Sequence, residues 1–206
     1  MVFLIMDLTI VRHSMSTDNN SGRISGARSD VNLSDEGIAY AKKVSAAYDW
    51  HQFDQVFSSP MKRAQQTTQI LVGKDTPIEY DARLKELDFG DWDGQVEAEI
   101  FKQYPQAFVH LGMLKNNYVD YVPSAESYAH LIQRAGDFLE ELKQNHDDQS
   151  ILVVCHGMTT RALLAAAFSN DIANFGTVDN VSLSHLHFDG SNQFPPRMDS
   201  YNQSVV

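Results

Sequence analysis

The sequence predicts an α/β fold, a three-layer α/β/α sandwich around a mostly parallel central sheet. Short apolar runs of strand type, at 8–11 and 151–155, alternate along the chain with stretches whose apolar residues recur at helical spacing. Both runs are apolar without interruption, as in parallel strands that have helices on either face. The 206 residues, 43% of them hydrophobic, carry no internal repeat and no long Pro/Gly/Ser stretch, so one domain over 1–206 is expected.

Each element has its own justification. Residues 3–11 read as the first strand. Ser34 has the position of an N-cap, with Asp35 and Glu36 in the first turn and Ile38, Ala41, Val44 and Tyr48 at helical spacing. Residues 55–58 read as a second strand. Ser59 and Pro60 then suit the N-cap and first position of a helix carrying Arg63, Ala64, Thr67, Ile70 and Leu71. Tyr128, Leu131, Ile132, Ala135, Phe138, Leu139 and Leu142 form the cleanest amphipathic stripe, and it leads into the strand at 151–155. A helix over 159–168 follows. Residues 181–188 read as the final strand; its alternation shifts phase near His185, so it is either buried on both faces or bulged. Residues 191–206, with Pro195 and Pro196 among polar side chains, are expected to lie on the surface as a tail. The segment 97–127 is rich in Phe, Tyr, His and Met without a clear strand. It is either a cap facing a substrate or an extra helix and loop packed for stability.

Charge and composition narrow the function. With 27 acidic against 16 basic residues the formal charge is −11, which argues against nucleic acid and anionic membranes as partners and favours a small molecule. The apolar start at 1–6 is short, has no basic residues before it and runs into Asp7, fitting neither a signal peptide nor a membrane span. A cytoplasmic location is the default expectation. Cys155 is the single cysteine, so an internal disulfide is excluded, and none of the eight histidines falls in an HExxH pattern. No metal site is expected, and the oligomeric state is not legible.

Arg12 and His13 end the first apolar run, and His156 ends the run at 151–155. Open α/β sheets bind ligands at the carboxyl ends of their strands, so the two histidines are expected in one site. Around them stands an ordered series: Asn19, Arg23-Ile24-Ser25-Gly26, Leu33-Ser34-Asp35-Glu36-Gly37, Ser58-Ser59-Pro60-Met61-Lys62-Arg63-Ala64, the stretch from Glu86 to Gly94, Glu126-Ser127 and His156-Gly157. This series resembles the histidine phosphatase superfamily, also called the phosphoglycerate mutase-like family, over roughly 8–188. The resemblance implies a phosphoglycerate mutase-like fold and phosphoryl transfer through a phosphohistidine at His13.

The chemistry of these residue types agrees. Guanidinium groups stay charged and make planar, bidentate contacts to phosphate, a task for Arg12 and Arg63. A neutral imidazole is a good phosphoryl acceptor when its other nitrogen is tied to a backbone carbonyl, which is the state expected of His13. His156 is expected to donate to the phosphoryl oxygens as imidazolium, beside Gly157 and a helix N-terminus. Glu86 matches the family's proton donor, and acting at neutral pH it would need a raised pKa. Asp88 is the competing carboxylate, and in an extended segment it would point the other way. Ser14, Asn19, Ser25, Gly26 and Gly157 complete the expected phosphate- and substrate-binding set. Ser14 stands where the family usually has glycine, so its hydroxyl either adds a donor or crowds the pocket.

The segment Glu86-Leu87-Asp88-Phe89-Gly90 has the form more common among the phosphatases of the family than among its mutases. A mutase must also hold a bisphosphorylated intermediate, and Arg23, Arg28, Arg83 and Lys85 are the only nearby extra cations the sequence offers. The expected function is therefore a metal- and cofactor-independent phosphomonoester hydrolase acting on a small phosphorylated metabolite. Mutase-type phosphoryl transfer and a non-catalytic phospholigand-binding protein are the alternatives. A further enzyme reading rests on Cys155 and Arg161, whose C-x5-R spacing matches the loop of cysteine-dependent phosphatases.

Overall fold

The computed structural model describes residues 5–109, 113–191 and 193–206. Residues 3 and 4 of the expected first strand and 110–112 of the aromatic segment lie outside the described residues. Strands β1 (Ile5–Arg12), β2 (Gln55–Ser58), β3 (Glu79–Tyr80), β4 (Ser150–Cys155), β5 (Leu183–Asp189) and β6 (Arg197–Gln203) form one sheet in the order β3-β2-β4-β1-β5-β6. From β3 to β1 all pairings are parallel, with Leu8 opposite Ile151 and Ile10 opposite Val153; β5 runs antiparallel to β1, and β6 antiparallel to β5.

The α-helices among the described residues are α1 (Thr17–Asn20), α2 (Asp35–Ala47), α3 (Lys62–Val72), α4 (Glu97–Gln103), α5 (Tyr128–Asn145) and α6 (Gly157–Phe168). Side chains alternate across a strand, and here both sides are apolar. On one face Leu8, Ile10, Ile151 and Val153 pack with the buried stripes of α5 and α6; on the other Val11, Leu152 and Val154 pack with Val44 of α2 and Ala64, Leu71 and Val72 of α3. Two cores on opposite faces of one sheet are the three layers the sequence predicts. Ser34 caps α2 by accepting from the Gly37 N–H at 3.0 Å, as expected.

Two expectations need correction, and one pair of alternatives is decided. Ser59 is not the cap of α3, which begins at Lys62; Met61 holds the cap position without a side-chain bond, and Asp30 accepts from the Lys62 N–H at 2.7 Å instead. The Ser59 hydroxyl is committed elsewhere, as shown below. The tail at 191–206 is not loose surface chain, because β6 completes the sheet. Its residues show no apolar alternation, since β6 is an edge strand held by backbone pairing and by polar pins. His187 links Asp7 of β1 to Asp199 of β6 at 2.6 Å, and the Tyr201 hydroxyl donates to the Gly176 carbonyl at 2.6 Å. The phase shift near His185 is a bulge, for the β5–β6 register slips on both sides of that residue.

The segment 97–127 packs into the core and also borders a cavity. Ile100, Ala107, Phe108, Tyr118 and Val122 are buried in the α5–α6 core, while Glu97, Phe108, Met113 and Leu114 face a cavity at the end of the sheet. No described helix is long and apolar enough to cross a membrane.

Candidate active site

β1 and β4 end side by side, Arg12 paired with Cys155, so the residues that leave them must meet. The rings of His13 and His156 lie edge to face with centroids 5.0 Å apart. Both are buried, at 3% and 0% exposure, and His13 lines a cavity of about 280 Å³ at the carboxyl ends of the strands. The expected shared site therefore forms.

The hydrogen bonds of His13 define its chemical state. A carbonyl can only accept, so the 2.6 Å contact of Nδ1 with the Ser14 carbonyl puts the proton on Nδ1. A guanidinium can only donate, so the 3.2 Å contact from Arg63 Nε identifies Nε2 as the lone-pair nitrogen. Burial, then the charges of Arg63 and Arg12, push the pKa of His13 well below 6.5, outweighing the Ser14 hydrogen bond. His13 is thus a neutral imidazole with its lone pair on Nε2.

His156 is the second histidine of the site. Burial first, then Arg63, His13 and Arg12, hold its pKa well below 6.5, so the protein groups alone keep it neutral rather than an imidazolium. Its Nε2 lies 2.7 Å from the Ser59 hydroxyl, which also accepts from the Met61 N–H at 3.3 Å. Where the Ser59 hydroxyl donates to Nε2, the imidazole proton lies on Nδ1, which is buried and without a protein partner. An unpartnered buried N–H beside His13 is a donor suited to a ligand oxygen.

The two arginines divide the work unevenly. Arg63 is fully buried and donates to the carbonyls of Ser29 (2.6 Å), Gly26 (3.1 Å) and Ser25 (3.2 Å) as well as to His13. Most of its five donors are consumed, so the expected open fork for phosphate is a clamp that fixes the 25–29 loop and orients His13. Arg12 lines the cavity, donates to the Val178 carbonyl and keeps a buried Nε without a protein partner. Burial lowers the pKa of both, with Glu86 acting in the opposite direction.

Glu86 is held from several sides. Its carboxylate accepts from the N–H groups of Leu87 (2.9 Å), Met158 (3.2 Å) and Thr159 (3.2 Å) and from the Thr159 hydroxyl (3.3 Å). The first-turn amides of α6, expected to bind phosphate, are thus directed at Glu86. Arg134 ties the backbone beneath it, donating to the carbonyls of Lys85 (2.7 Å) and Glu86 (3.0 Å) while paired with Glu126 at 2.8 Å. This gives the Glu126-Ser127 pair a structural role: Glu126 anchors Arg134, and Ser127 caps α5. Asp88 faces away and pairs with Arg28 at 2.8 Å, whereas Glu86 borders the cavity.

The remaining expected contacts separate. Asn19 and Ser25 line the cavity, and the Ser25 hydroxyl is buried without a protein partner. Ser14 does neither of the things expected of it: its hydroxyl donates to the Gly37 carbonyl at 2.7 Å and its N–H to Thr67, so it faces α2 rather than the pocket. Gly26 is needed for packing, not for ligand contact, since a Cβ there would sit 2.5 Å from Asp93 Oδ2 and 2.6 Å from the Leu87 carbonyl. A Cβ on Gly157 would meet Arg12 Nε at 3.6 Å, an ordinary contact, so close backbone approach is not what it provides among protein atoms.

Sequence reasoning missed Ser59, read as a helix cap, and the loop 177–181. There Val178 accepts from Arg12, Asn180 Nδ2 donates to the His13 carbonyl at 2.8 Å, and the Val181 N–H donates to the Arg12 carbonyl at 2.9 Å. Val181 adopts φ 54°, a left-handed conformation costly for a β-branched residue, which marks a loop held by its contacts to the site. The cysteine-phosphatase reading fails. Cys155 is fully buried, its pKa is pushed up to about 12 by burial, and Arg161 donates to the Ile172 carbonyl rather than enclosing the thiol. Among the described residues no cluster of His, Cys, Asp and Glu could hold a metal ion.

A neutral nucleophilic histidine, a second histidine, flanking arginines and a carboxylate at the carboxyl edge of a parallel sheet define a phosphoryl-transfer site. The sequence pattern of the histidine phosphatase superfamily (branch 1) matches residues 8–202, and the chain belongs to that family. It is 31% identical to phosphoserine phosphatase 1 of Hydrogenobacter thermophilus over 90% of this chain and 88% of that protein. It is also 31% identical to a 2,3-bisphosphoglycerate-dependent phosphoglycerate mutase of Cytophaga hutchinsonii, over 76% of this chain and 75% of that one. The structure superimposes on a mycobacterial glucosyl-3-phosphoglycerate phosphatase with a TM-score of 0.78 and 25% identity, covering 97% of this chain and all of that one (100%).

Proposed function

We propose that the chain hydrolyses small phosphomonoesters by double displacement at His13. The observation that carries this reading is the state of His13: neutral, its Nδ1–H fixed by the Ser14 carbonyl, its Nε2 lone pair on the cavity floor beside two arginines. In the first step Nε2 attacks phosphorus, an N–P bond forms, the ester P–O bond breaks, and the departing alkoxide takes a proton from the Glu86 carboxyl. In the second step water attacks the phosphohistidine, the Glu86 carboxylate takes its proton, the N–P bond breaks, and phosphate leaves. Arg12 and the N–H of His156 meet the charge on the phosphoryl oxygens, and Asn19 and Ser25 offer further contacts. Arg63 orients His13, while Gly26 lets its loop close beneath the segment carrying Glu86. No metal or organic cofactor enters either step.

The cavity volume and the net charge of −11 support a small phosphorylated metabolite rather than a nucleic acid. We read 1–206 as one domain, with 97–127 as its cap over the substrate. A lone buried thiol, Cys155, suits the cytoplasm, where cysteines stay reduced. Hydrolysis is favoured over mutase chemistry because, of the four extra cations, Arg28 and Arg83 are committed to ion pairs and Arg23 alone borders the cavity.

The test is phosphate release from a panel of phosphomonoesters, an aryl phosphate included, by wild type and His13→Ala in the presence of chelator. Release by the wild type alone is expected. Equal release by both proteins would remove His13 as nucleophile, and release by neither would favour transfer between substrates or binding without turnover.

A further inference from the structure

A bulge beside an active site can re-aim a side chain, and β6 carries one. The β5–β6 register pairs Leu183 with Gln203 and His185 with Ser200, so Tyr201 and Asn202 together stand opposite Ser184. Asn202 takes up the extra length. Its φ is 52°, a left-handed conformation that asparagine tolerates better than most residues. Its amide meets Asp179 twice: Oδ1 accepts from the Asp179 N–H at 2.6 Å, and Nδ2 donates to the Asp179 carboxylate at 3.0 Å. An N–H can only donate and a carboxylate can only accept, so the two contacts fix which way the amide faces. The neighbouring Tyr201 hydroxyl, bonded to the Gly176 carbonyl, holds the entry to the same loop.

The position of Asp179 in the chain gives this pair its consequence. Its two neighbours each touch a residue that leaves β1: the Val178 carbonyl accepts from Arg12, and Asn180 Nδ2 donates to the His13 carbonyl at 2.8 Å. Two residues further on, the Val181 N–H donates to the Arg12 carbonyl at 2.9 Å. The nucleophile and its arginine are therefore held by a loop whose own anchor lies in the edge strand. The carboxylate of Asp179 matters as well. Burial lowers the pKa of Arg12, and Asp179 is, after Glu86, the second carboxylate whose charge raises it. That carboxylate is bonded to Asn202, while Arg12 keeps a buried Nε without a protein partner. Released from Asn202, it would compete with a phosphoryl group for the guanidinium.

We propose that Asn202 is a positioning residue for phosphoryl transfer: through Asp179 it fixes the loop that orients Arg12 and His13, and it keeps the Asp179 carboxylate out of the place of phosphate. This rests on the reading of the cavity as a phosphomonoester site. Among the described residues β6 contributes nothing to the cavity wall, so the strand acts on the chemistry only through this loop.

Three variants separate positioning from packing. Asn202→Gly keeps the left-handed turn, which glycine adopts freely, and removes the amide. Asn202→Asp sets a second carboxylate against that of Asp179. The swapped pair, Asn202→Asp with Asp179→Asn, restores both contacts with one donor and acceptor exchanged. Each is measured for hydrolysis of nitrophenyl phosphate, for exchange of the Val181 N–H by NMR, and for Tm. In Asn202→Gly the Val181 N–H should exchange about tenfold faster, as loss of two hydrogen bonds implies, and kcat/KM should fall roughly tenfold to a hundredfold. Asn202→Asp should be at least as poor, and the swapped pair should recover most of both losses. Losses that follow Tm, with no recovery in the swapped pair, would make Asn202 a strand residue only and overturn the proposal. Val181 exchange in Asn202→Gly equal to wild type would overturn it too. A wild type that releases no nitrophenolate would instead remove the phosphomonoester reading, and with it the catalytic role, while Val181 exchange would still report the anchoring.

Discussion

Replacing Glu86 by Gln keeps the side chain's shape and removes its transferable proton, so it separates the two steps of the proposed reaction. In the first step the need for that proton depends on the leaving group. An alkoxide requires it, so an alkyl ester should lose roughly 10²–10⁴-fold in rate, the range of general acid catalysis. A nitrophenolate leaves without it, so phosphorylation of His13 by the aryl ester should persist. In the second step the base that activates water is missing for either ester. Glu86→Gln should therefore release about one equivalent of nitrophenolate in a burst and then turn over slowly, the signature of an accumulated covalent intermediate. The variant should fold, at a calculable cost. A Gln oxygen placed at the Oε1 position keeps the bonds from Leu87 and Thr159, but its amide then opposes the Met158 N–H. One lost hydrogen bond at about 1 kcal/mol and one lost charge at the α6 N-terminus at about 1 kcal/mol give about 2 kcal/mol. For a chain of this size that corresponds to a fall in Tm of roughly 4–8 °C. The assay is rapid-mixing release of nitrophenolate together with steady-state release from an alkyl ester. Equal losses on both esters with no burst, or no loss on either, would refute the assignment of Glu86 as acid and base.

Gly26→Ala places a Cβ against Asp93 Oδ2 at 2.5 Å and the Leu87 carbonyl at 2.6 Å, so overpacking of about 1–3 kcal/mol is expected, with kcat reduced because the loop that Arg63 clamps must shift. Thermal melts and steady-state rates check it, and a wild-type Tm would show that the loop has room. Stability should fall as pH falls below 6.5. The pKa values of His13 and His156 are depressed on folding, so the unfolded chain binds more protons in that window, and stability is full above 6.5 and lost progressively below it, at up to about 1.4 kcal/mol per pH unit for each histidine. A double variant, His13→Gln with His156→Gln, should show a shallower slope of Tm against pH between about 7.5 and about 5, roughly the span over which an ordinary histidine titrates.

The parts of the fold that were legible in sequence are those governed by burial. Uninterrupted apolar runs became the inner strands β1 and β4, and the stripe from Tyr128 to Leu142 became α5, because packing on two faces demands those patterns. β6 was not legible: its pairing is made by backbone and by His187 and Asp199, which leave no periodic trace. In the site, Arg12, His13, Glu86 and His156 stand out in sequence because their chemistry and order are specific, and the structure brings them together. Ser14 and Gly26 were misassigned to the ligand because proximity in sequence to His13 and Ser25 does not say which way a hydroxyl or a missing Cβ faces. Ser59 and Asn180 were missed because each acts through tertiary contact, with His156 at 2.7 Å and with the His13 carbonyl at 2.8 Å.

The arginines around the two histidines link nucleophile readiness to anion binding. Burial, reinforced by positive charge from Arg63 and Arg12, keeps His13 unprotonated, which a nucleophile requires, and the same combination keeps His156 neutral. A phosphate dianion beside Arg12 would oppose that field at His156, which has an unpartnered Nδ1 to offer it. Its pKa should then rise, since a nearby opposite charge favours the protonated form. The imidazolium expected from sequence is therefore a state produced by substrate, not one waiting for it. Binding of a phosphonate at pH 7 should take up a proton, seen as a binding enthalpy that varies linearly with the ionisation enthalpy of the buffer. His156→Gln should abolish that uptake while binding persists more weakly. Buffer-independent enthalpy in wild type would mean that His156 stays neutral throughout and serves as a hydrogen-bond donor only.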